Sequence, residues 1–471
     1  MNKFEKSLSL CNDIEARLSE LKELIMETEQ SQDKDYSDHI VKVLQTFGIE
    51  ISNIEAMVGP TFTLYEITLA QGVRMQKVKS LEDDIAISLA ALGVRIIAPI
   101  PGKETIGIEV PNNNPSTVSM ESILNSKKYK NSTMELPCAI GKTVDNEVFM
   151  FDLTKAPHLL VAGACGQGKS VCLNAIITSL IYKKCPSELK FLLIDPKEEA
   201  FLFYDQYLNQ FLAKLPDEEE HVITDVNKAI HALKSLCDLI DKRYELLKVV
   251  GARNIIEYNQ AVIDRSILGL EYMPYIVVII DEFGNLMMDM EKEFCSATDR
   301  ITQLACSVGV HMVIATQLPT TISGSIQVNF PSRIAFKVHT DIDSKTILGR
   351  VGAQQLSGKG DMLYLSGAEP VRVQCAFANT LKVGHLNEFI TSQQSHSLDP
   401  LFKDAARLLF INQIGSTSLI QRKFAIGYNR AARLMEQLEE VGIVSVAEGS
   451  KSREVLVQDE TALNRILASL R

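Results

Sequence analysis

Short apolar runs alternate with amphipathic stretches through the middle of the chain, and this pattern predicts strands and helices in turn. The apolar runs are HLLVAG, KFLLID, YIVVII, HMVIATQ and RIAFKV. The stretches between them, such as SVCLNAIITSLIY and DRITQLACSVG, carry apolar residues at helical spacing. Nearly continuous apolar strands between helices are typical of a parallel sheet that is covered on both faces. Residues 141–385 are therefore predicted to form one α/β domain.

The flanking regions have other patterns. The pattern of residues 36–140 predicts a small α+β unit. The apolar residues of DHIVKVLQTFGI and LEDDIAISLAALGV have helical spacing, while apolar and polar residues alternate in TFTLYEITLA as in a half-buried strand. Residues 1–35 predict a polar helix followed by a linker, and residues 386–399 predict a second linker. Residues 400–471 predict a compact helical domain that ends in a strand pair.

Composition and charge narrow the function classes. The hydrophobic content of 46% and charged content of 23% are those of an ordinary globular protein. The sequence contains neither a run of about 20 apolar residues nor an apolar leader at its start, so we expect a cytoplasmic protein without a membrane segment. The net charge of −11 argues against a surface that coats nucleic acid everywhere, but is compatible with local basic patches. The nine cysteines have no metal-ligand spacing and predict buried reduced thiols.

The stretch GACGQGKS, residues 163–170, has the pattern G-x-x-x-x-G-K-[ST] of a phosphate-binding loop. It lies between an apolar strand and an amphipathic helix, where backbone N–H groups and the helix N-terminus can bind phosphate. Lys169 is predicted to reach the β- and γ-phosphates of ATP, and Ser170 to ligate Mg²⁺. The alternative without a function is a glycine-rich turn with a chance Lys-Ser pair. The predicted nucleotide-binding residues are Gly163, Ala164, Cys165, Gly166, Gln167, Gly168, Lys169, Ser170 and Val171.

Cys165 is an unusual residue inside such a loop. The interior positions of the loop act mainly through backbone N–H groups, so a small side chain need only leave the cradle open. We therefore interpret Cys165 as a tolerated choice, with a redox-sensitive thiol as the alternative.

Two further strands end in polar residues that belong to the same chemistry. YIVVII leads into Asp281 and Glu282, which are predicted to support Mg²⁺ and to polarise the attacking water, respectively. HMVIAT leads into Gln317, a candidate γ-phosphate sensor. Since the carboxyl ends of parallel strands meet at the ligand crevice, these side chains are expected to lie close together. The predicted catalytic set is Glu282, Lys169 and Gln317.

The C-terminal domain has a basic segment. From Gly415 to Met435 the charged residues are Arg422, Lys423, Arg430 and Arg433, within a helix–turn–helix pattern. A second helix near Tyr428 would place its first residues against base edges. A solvated basic helix face is the alternative. The predicted DNA contacts are Arg422, Lys423, Tyr428, Asn429, Arg430 and Arg433.

The long motifs HLLVAGACGQGKSVCLNAIITSL, FLLIDPK, YIVVIIDEFGNLMM, HMVIATQLP and GKGDMLYL, in this order, resemble the FtsK/SpoIIIE double-stranded DNA translocases. The resemblance covers about residues 37–471. It implies an α subdomain in residues 36–140, a RecA-like P-loop motor in residues 141–385 and a winged-helix γ domain in residues 400–471. It also implies ATP hydrolysis between subunits of a hexameric ring that pumps duplex DNA in bacterial chromosome segregation.

The sequence departs from the family pattern near the site. Leu318 and Cys306 stand where arginine is usual, and Lys345, Gly349, Glu198 and Glu199 also differ. A motor that hydrolyses ATP between subunits needs an arginine finger. The candidates Arg300, Arg333 and Arg350 are left open. Family members with a division role also carry an N-terminal membrane domain. We expect no such domain within this sequence, because it contains no run of about 20 apolar residues.

Three functions follow as hypotheses. The leading one is an ATP-driven duplex-DNA translocase. The second is an ATP-binding, DNA-associated partner protein with weak or absent hydrolysis. The third is a related pump for conjugative DNA transfer or secretion, of which the winged-helix domain disfavours secretion.

Overall fold

A computed structural model describes most of the chain from residue 35 onward. The described ranges are 35–90, 94–100, 103–198, 200–201, 204, 208–214, 221–263, 270–367, 369–378, 401–424, 431, 434–435, 437–439, 441–445, 453–457, 459, 463 and 466–467. The helix predicted in residues 1–35 lies almost entirely outside these ranges. The linker predicted at residues 386–399 lies entirely outside them. The chain divides into two compact units, one of residues 1–260 with 269–381 and one of residues 261–268 with 382–471.

The first unit begins with a four-stranded antiparallel sheet in the order β1-β2-β4-β3. Its core contains Tyr65, Ile67 and Ile108, against which helix α1 packs Ile40 and Leu44. Its helices are α1 (Ser37–Thr46), α2 (Met75–Lys79) and α3 (Glu82–Leu89), and its strands are β1 (Ile51–Val58), β2 (Phe62–Leu69), β3 (Arg95–Ile97) and β4 (Ile106–Pro111).

Strand β2 differs from its predicted half-buried pattern, because it is buried on both faces. Tyr65 and Ile67 lie in the core of the small sheet, while Phe62 and Leu64 pack against Val144 on the other face. The second face is covered by the large sheet, which local alternation could not indicate.

The large sheet has ten strands, in the order β6-β5-β14-β13-β12-β7-β11-β10-β8-β9. Strands β12, β7, β11, β10, β8 and β9 are parallel to one another, and the predicted parallel sheet is confirmed for this part. The remaining four strands are antiparallel additions at one edge. The strands are β5 (Pro137–Thr143), β6 (Val148–Asp152), β7 (His158–Ala162), β8 (Leu189–Ile194), β9 (Val222–Ile223), β10 (Tyr275–Ile280), β11 (Val310–Thr316), β12 (Ser332–Phe336), β13 (Asp361–Leu365) and β14 (Val371–Cys375).

Strand β5 crosses residue 140, the boundary proposed from the sequence, and it belongs to the large sheet. The short helices before it pack Met120 and Ile123 in a cluster with Ala175 and Ala376 of the α/β part. The residues from about 118 onward therefore pack with the large sheet.

Helices connect the strands of the large sheet. The long α7 has clear ends, since the Asp225 side chain accepts a hydrogen bond from the Lys228 amide and Gly251 closes the helix in a left-handed conformation. The helices are α4 (Met120–Leu124), α5 (Lys127–Lys130), α6 (Lys169–Ile181), α7 (Val226–Val250), α8 (Ile255–Ile263), α9 (Phe283–Leu304), α10 (Gly324–Asn329) and α11 (Asp341–Leu348).

The second unit has its own apolar core. It contains α12 (Phe402–Asn412) and α13 (Thr417–Phe424), with further helical residues between 431 and 439. Buried side chains of these helices pack with Ile443, Val444 and Val457. Antiparallel bridges pair Gly415 with Arg453 and Val444 with Val455, so a short β element accompanies the helices.

Candidate nucleotide site

The glycine-rich loop connects β7 to α6 at the carboxyl end of the parallel strands. Its backbone is shaped by close neighbours: Gly168 has φ 120°, and a Cβ there would lie 3.0 Å from Gly360 Cα and 3.1 Å from Phe336 Cε1. Only glycine fits this position without strain. The first N–H groups of α6 have no acceptor within the helix and are available to an anion.

Lys169 is the first residue of α6, and its side chain returns into the loop. Its Nζ donates to the carbonyl oxygens of Gly163 at 2.9 Å and Ala164 at 2.8 Å. The residue is only 4% exposed. Burial lowers the pKa of Lys169, and the nearby carboxylates of Glu282 and Asp281 oppose this shift. The ammonium is thus held at the centre of the loop.

Cys165 is exposed in the loop, and its carbonyl oxygen accepts a hydrogen bond from Gln167 Nε2. Ala164 N and Gly163 N donate to carbonyl oxygens of Lys337 and Thr316, which fasten the loop to the neighbouring strands. The loop is therefore anchored through its backbone, with the Cys165 side chain outside it.

Ser170 and Asp281 come from elements 111 residues apart, yet Ser170 Oγ donates to Asp281 Oδ2 at 3.3 Å. Burial, followed by the charge of nearby Asp195, raises the pKa of Asp281 to about 6. A buried carboxylate beside a hydroxyl at a phosphate loop fits Mg²⁺, which favours few protein oxygens together with phosphate and water. Among the described residues no group of three His, Cys, Asp or Glu side chains could hold a metal ion, so phosphate and water would have to complete the coordination.

Glu282 follows Asp281 in a left-handed backbone conformation, with φ 56° and ψ 61°. This conformation is rare for a residue other than glycine and is typical of functional positions. The side chain is 3% exposed and bends back over the end of β11, where Oε1 accepts from Thr316 Oγ1 at 2.9 Å and Oε2 accepts from the Gln317 amide at 3.0 Å.

The order of the strands explains how these residues meet. Strand β11 lies between β7, which precedes the loop, and β10, which precedes Asp281. Thr316 and Gln317 at the end of β11 are therefore placed between the phosphate loop and Glu282. Gln317 is partly exposed, and its main chain contacts Glu282.

Two residues of the site were not singled out by the sequence reasoning, Asp195 and Lys197 in the DPK stretch after β8. Lys197 Nζ lies 3.3 Å from Glu282 Oε2. Asp195 is fully buried, and its carboxylate accepts hydrogen bonds from the amides of Lys197, Ala200 and Phe201. A polar DPK segment after an apolar strand was the available signal, because polar residues at that end of a parallel strand lie at the crevice.

A cavity of about 620 Å³ opens beside the phosphate loop. It is lined by loop glycines, by residues of the small sheet and by the turn of residues 357–360. This turn contacts the phosphate loop directly, since Gly360 N donates to the Gln167 carbonyl oxygen at 2.9 Å. Thr61 and Asn112 line the cavity next to strands β2 and β4 of the small sheet, Lys359 lines it from this turn and Gln374 from β14. The volume is that of a ligand pocket.

The three arginine-finger candidates have different environments. Arg333 donates from Nε, Nη1 and Nη2 to the carbonyl oxygens of Phe330, Ile347 and Gln327, so its whole guanidinium serves as an anchor within the chain. Arg300 pairs with Asp241 on α7 and Arg350 pairs with Glu369, and both side chains are 40% or more exposed. Of the three, only Arg333 has its whole guanidinium engaged by main-chain carbonyl oxygens of the described chain.

The positions that depart from the family pattern lie at different places. Leu318 is exposed directly after Gln317, and Cys306 Sγ lies 3.3 Å from His158 Nε2. Lys345 and Gly349 are exposed near the end of α11, and Glu198 is exposed beside Lys197. Glu199 lies outside the described residues.

The predicted DNA-contact residues are only partly described. Arg422 and Lys423 are exposed in the last turn of α13. Tyr428, Asn429, Arg430 and Arg433 lie outside the described residues.

A phosphate loop follows a central parallel strand, an acidic pair follows another strand, and a third strand lies between these two. This arrangement defines a P-loop NTPase with a RecA-like core. The FtsK/SpoIIIE family profile matches residues 119–321, the FtsK alpha domain residues 16–112 and the Ftsk gamma domain, a winged-helix domain, residues 396–458. The chain belongs to the FtsK/SpoIIIE family, and the predicted fold class is confirmed.

Curated relatives agree with this assignment. The chain is 42% identical over 466 residues to the DNA translocase FtsK of Chlorobaculum tepidum, covering 92% of this chain and 57% of the relative. It is 41% identical over 443 residues to the DNA translocase SpoIIIE of Bacillus subtilis, covering 89% and 55%. The chain thus spans little more than half the length of these relatives.

A solved structure supports the fold. The pCW3 conjugation coupling protein TcpA, in a monomer form with ATPγS, is 24% identical with a TM-score of 0.51, covering 75% of this chain and 97% of that chain. Within the described ranges of the present chain, no helix is long and apolar enough to cross a bilayer.

Proposed function

We propose that this chain is an ATP-driven translocase of double-stranded DNA. The observation that carries the proposal is the convergence of Lys169, Ser170, Asp281 and Glu282 at one end of the parallel strands, in a chain of the FtsK/SpoIIIE family. The convergence is that of a site for phosphoryl transfer to water.

Each residue has a distinct role in the proposed reaction. Lys169 and the amides at the start of α6 bind the β- and γ-phosphates and stabilise the charge that develops on them. Ser170 and Asp281 would hold Mg²⁺, which would neutralise phosphate charge. Glu282 accepts a proton from the attacking water, and Gln317 senses the γ-phosphate. The cavity of about 620 Å³ beside the loop would receive the base and ribose.

The remaining elements of the proposal concern DNA and assembly. We assign DNA contact in the second unit to Arg422, Lys423, Tyr428, Asn429, Arg430 and Arg433. The exposed Arg300 and Arg350 would act at a neighbouring subunit of a hexameric ring in the bacterial cytoplasm. The predicted domain limits are 36–140, 141–385 and 400–471, of which we move the first end to about residue 112 and the second start to about residue 118.

ATP hydrolysis by the purified chain with Mg²⁺ tests the proposal. Turnover is measured without DNA, with single-stranded DNA and with duplex DNA, and displacement of a third strand from a duplex reports movement. Duplex DNA should raise turnover well above that with single-stranded DNA. ATP turnover that does not change when DNA is added would overturn the proposal of a translocase.

A second candidate is an ATP-binding, DNA-associated partner protein with little hydrolysis. It is favoured by one observation: Leu318, adjacent to the contacts of Glu282, is 41% exposed and offers no charge where the family has arginine. This candidate requires ATP binding with turnover near background in the presence of duplex DNA. A conjugative DNA pump would instead move along DNA, so the strand-displacement assay distinguishes it from the partner protein.

A further inference from the structure

Lys197 occupies a position at which it can control the carboxylate of Glu282. Its Nζ lies 3.3 Å from Glu282 Oε2, the same oxygen that accepts the Gln317 amide at 3.0 Å. The other oxygen, Oε1, accepts from Thr316 Oγ1 at 2.9 Å. Both oxygens of the carboxylate are therefore engaged from two sides, by the strand end and by the ammonium of Lys197.

The carboxylates around this pair outnumber the lysines beside them. Asp195, Asp281 and Glu282 are each 7% exposed or less. Lys197 forms the ion pair with Glu282, while Lys169 donates to loop carbonyl oxygens. A charge-assisted hydrogen bond in such a dry place is stronger than one in water. The ammonium therefore balances the charge of Glu282 and holds its Oε2 in the ion pair.

The turn that carries Lys197 is itself held in place. Three amides from residues 197–201 donate to the buried carboxylate of Asp195. Further along, Tyr204 Oη donates to Asn174 Oδ1 on α6, the helix that begins at Lys169. The position of Lys197 is thus linked to the helix behind the phosphate loop, and 32% of its side chain is exposed, which leaves it an outward path.

We propose that Lys197 is a positioning residue that holds Glu282 back from the attacking water, and that hydrolysis requires this ion pair to open. The inference rests on the proposed ATP hydrolysis and deepens it, because it identifies a restraint on turnover in the absence of DNA. Lys197 does not touch the reacting atoms in this role. It acts only through the carboxylate of Glu282.

The test is the variant Lys197→Met, assayed for ATP turnover in the full chain. Without DNA, kcat should rise about tenfold, the effect of removing one hydrogen bond to a charged group. The KM for ATP should change little, because Lys197 holds no phosphate. With saturating duplex DNA, kcat should match that of the wild type, so the stimulation by DNA shrinks.

Two further variants separate the restraint from a structural role. Lys197→Arg keeps the cation and should retain the low turnover without DNA. Lys190→Met is the matched control, since Lys190 lies on the preceding strand β8 and donates to the Gln210 carbonyl oxygen. It should leave both kinetic constants unchanged. If Lys197→Met does not fold, as judged by circular dichroism, Lys197→Gln is measured in its place by the same criteria.

A fall of kcat with DNA in Lys197→Met, or an unchanged kcat without DNA, would overturn the restraint. A wild-type chain without turnover under any condition would defeat the proposed function instead. In that case turnover gained by Lys197→Met would still support the restraint, and continued inactivity would overturn it.

Discussion

Arg372 Nη1 lies 3.0 Å from Glu109 Oε2, and this ion pair joins strand β14 of the large sheet to strand β4 of the small one. Both side chains are 2% exposed or less. Arg372 also contacts Asp361 at 2.6 Å and lies 4.2 Å from the centre of the Phe62 ring. Asp361 in turn accepts from Ser357, which begins the turn that packs on the phosphate loop. One buried guanidinium therefore connects the small sheet to the neighbourhood of the nucleotide site.

Arg372→Met should destabilise the protein by about 3–5 kcal/mol, because it leaves the carboxylate of Asp361 buried without its cation and leaves Glu109 with only the longer contact to Arg95 Nη1 at 3.7 Å. Urea unfolding followed by circular dichroism measures this change. Lys128→Met is the control, since the ion pair of Lys128 with Glu147 is exposed and should be worth at most about 1 kcal/mol. Equal effects of the two substitutions would contradict the central role of Arg372.

Glu282→Gln should lower ATP turnover by about 10²- to 10⁴-fold, the usual contribution of a general base. Nucleotide binding should persist, because Glu282 contacts Thr316, Gln317 and Lys197 and takes no part in the phosphate loop. Lys169→Ala should instead weaken binding itself. Single-turnover hydrolysis and titration with a fluorescent ATP analogue measure the two effects separately. Wild-type turnover in Glu282→Gln would remove this residue from the proposed chemistry.

The stability of the first unit should fall in mild acid because of two buried histidines. Burial lowers the pKa of His158 to about 4 and that of His311 to about 3. Both values lie below the pKa of about 6.5 in an unfolded chain, so the unfolded state takes up protons first as the pH falls. The stabilisation is complete above about pH 6.5 and declines below it, by at most about 1.4 kcal/mol per pH unit for each histidine.

His311→Leu tests this pH dependence, because it removes one of the two buried groups. The free energy of unfolding, measured in urea from about pH 8 to pH 5, should decline less steeply in the variant than in the wild type. His339→Leu, at an exposed position, is the control and should leave the slope unchanged. A wild-type slope in His311→Leu would show that other groups cause the acid sensitivity.

Arg422→Ala with Lys423→Ala should weaken duplex-DNA binding across all sequences and reduce the salt dependence, with a slope change of about 1 for each lost phosphate contact. Fluorescence anisotropy at several salt concentrations measures both quantities. Lys403→Ala with Arg407→Ala removes the same charge from exposed positions on the neighbouring helix α12 and should have a smaller effect. Similar losses from both double variants would indicate a general charge effect without a specific contact.

The sequence by itself determined the features that are contiguous along the chain. The phosphate loop, the acidic pair Asp281 and Glu282 and most strands of the large sheet are short runs whose composition and period carry their own signal. The RecA-like class was implied by the resemblance of these motifs, in their order, to the FtsK/SpoIIIE family. The basic residues around Arg422 were also visible, although most of the predicted DNA contacts lie outside the described residues.

The tertiary structure alone decided which distant residues meet. Strand β11 pairs between β7 and β10 through backbone hydrogen bonds, and no local period encodes that order. The contact of Lys197 with Glu282 depends on the pairing of β8 with β10. The burial of Arg372 between two sheets and the use of Arg333 as an internal anchor are likewise set by contacts between residues distant in the chain. The sequence does not show whether a charged side chain is exposed to solvent or paired with a buried partner. Only the fold sets the desolvation and the partner that give it a role.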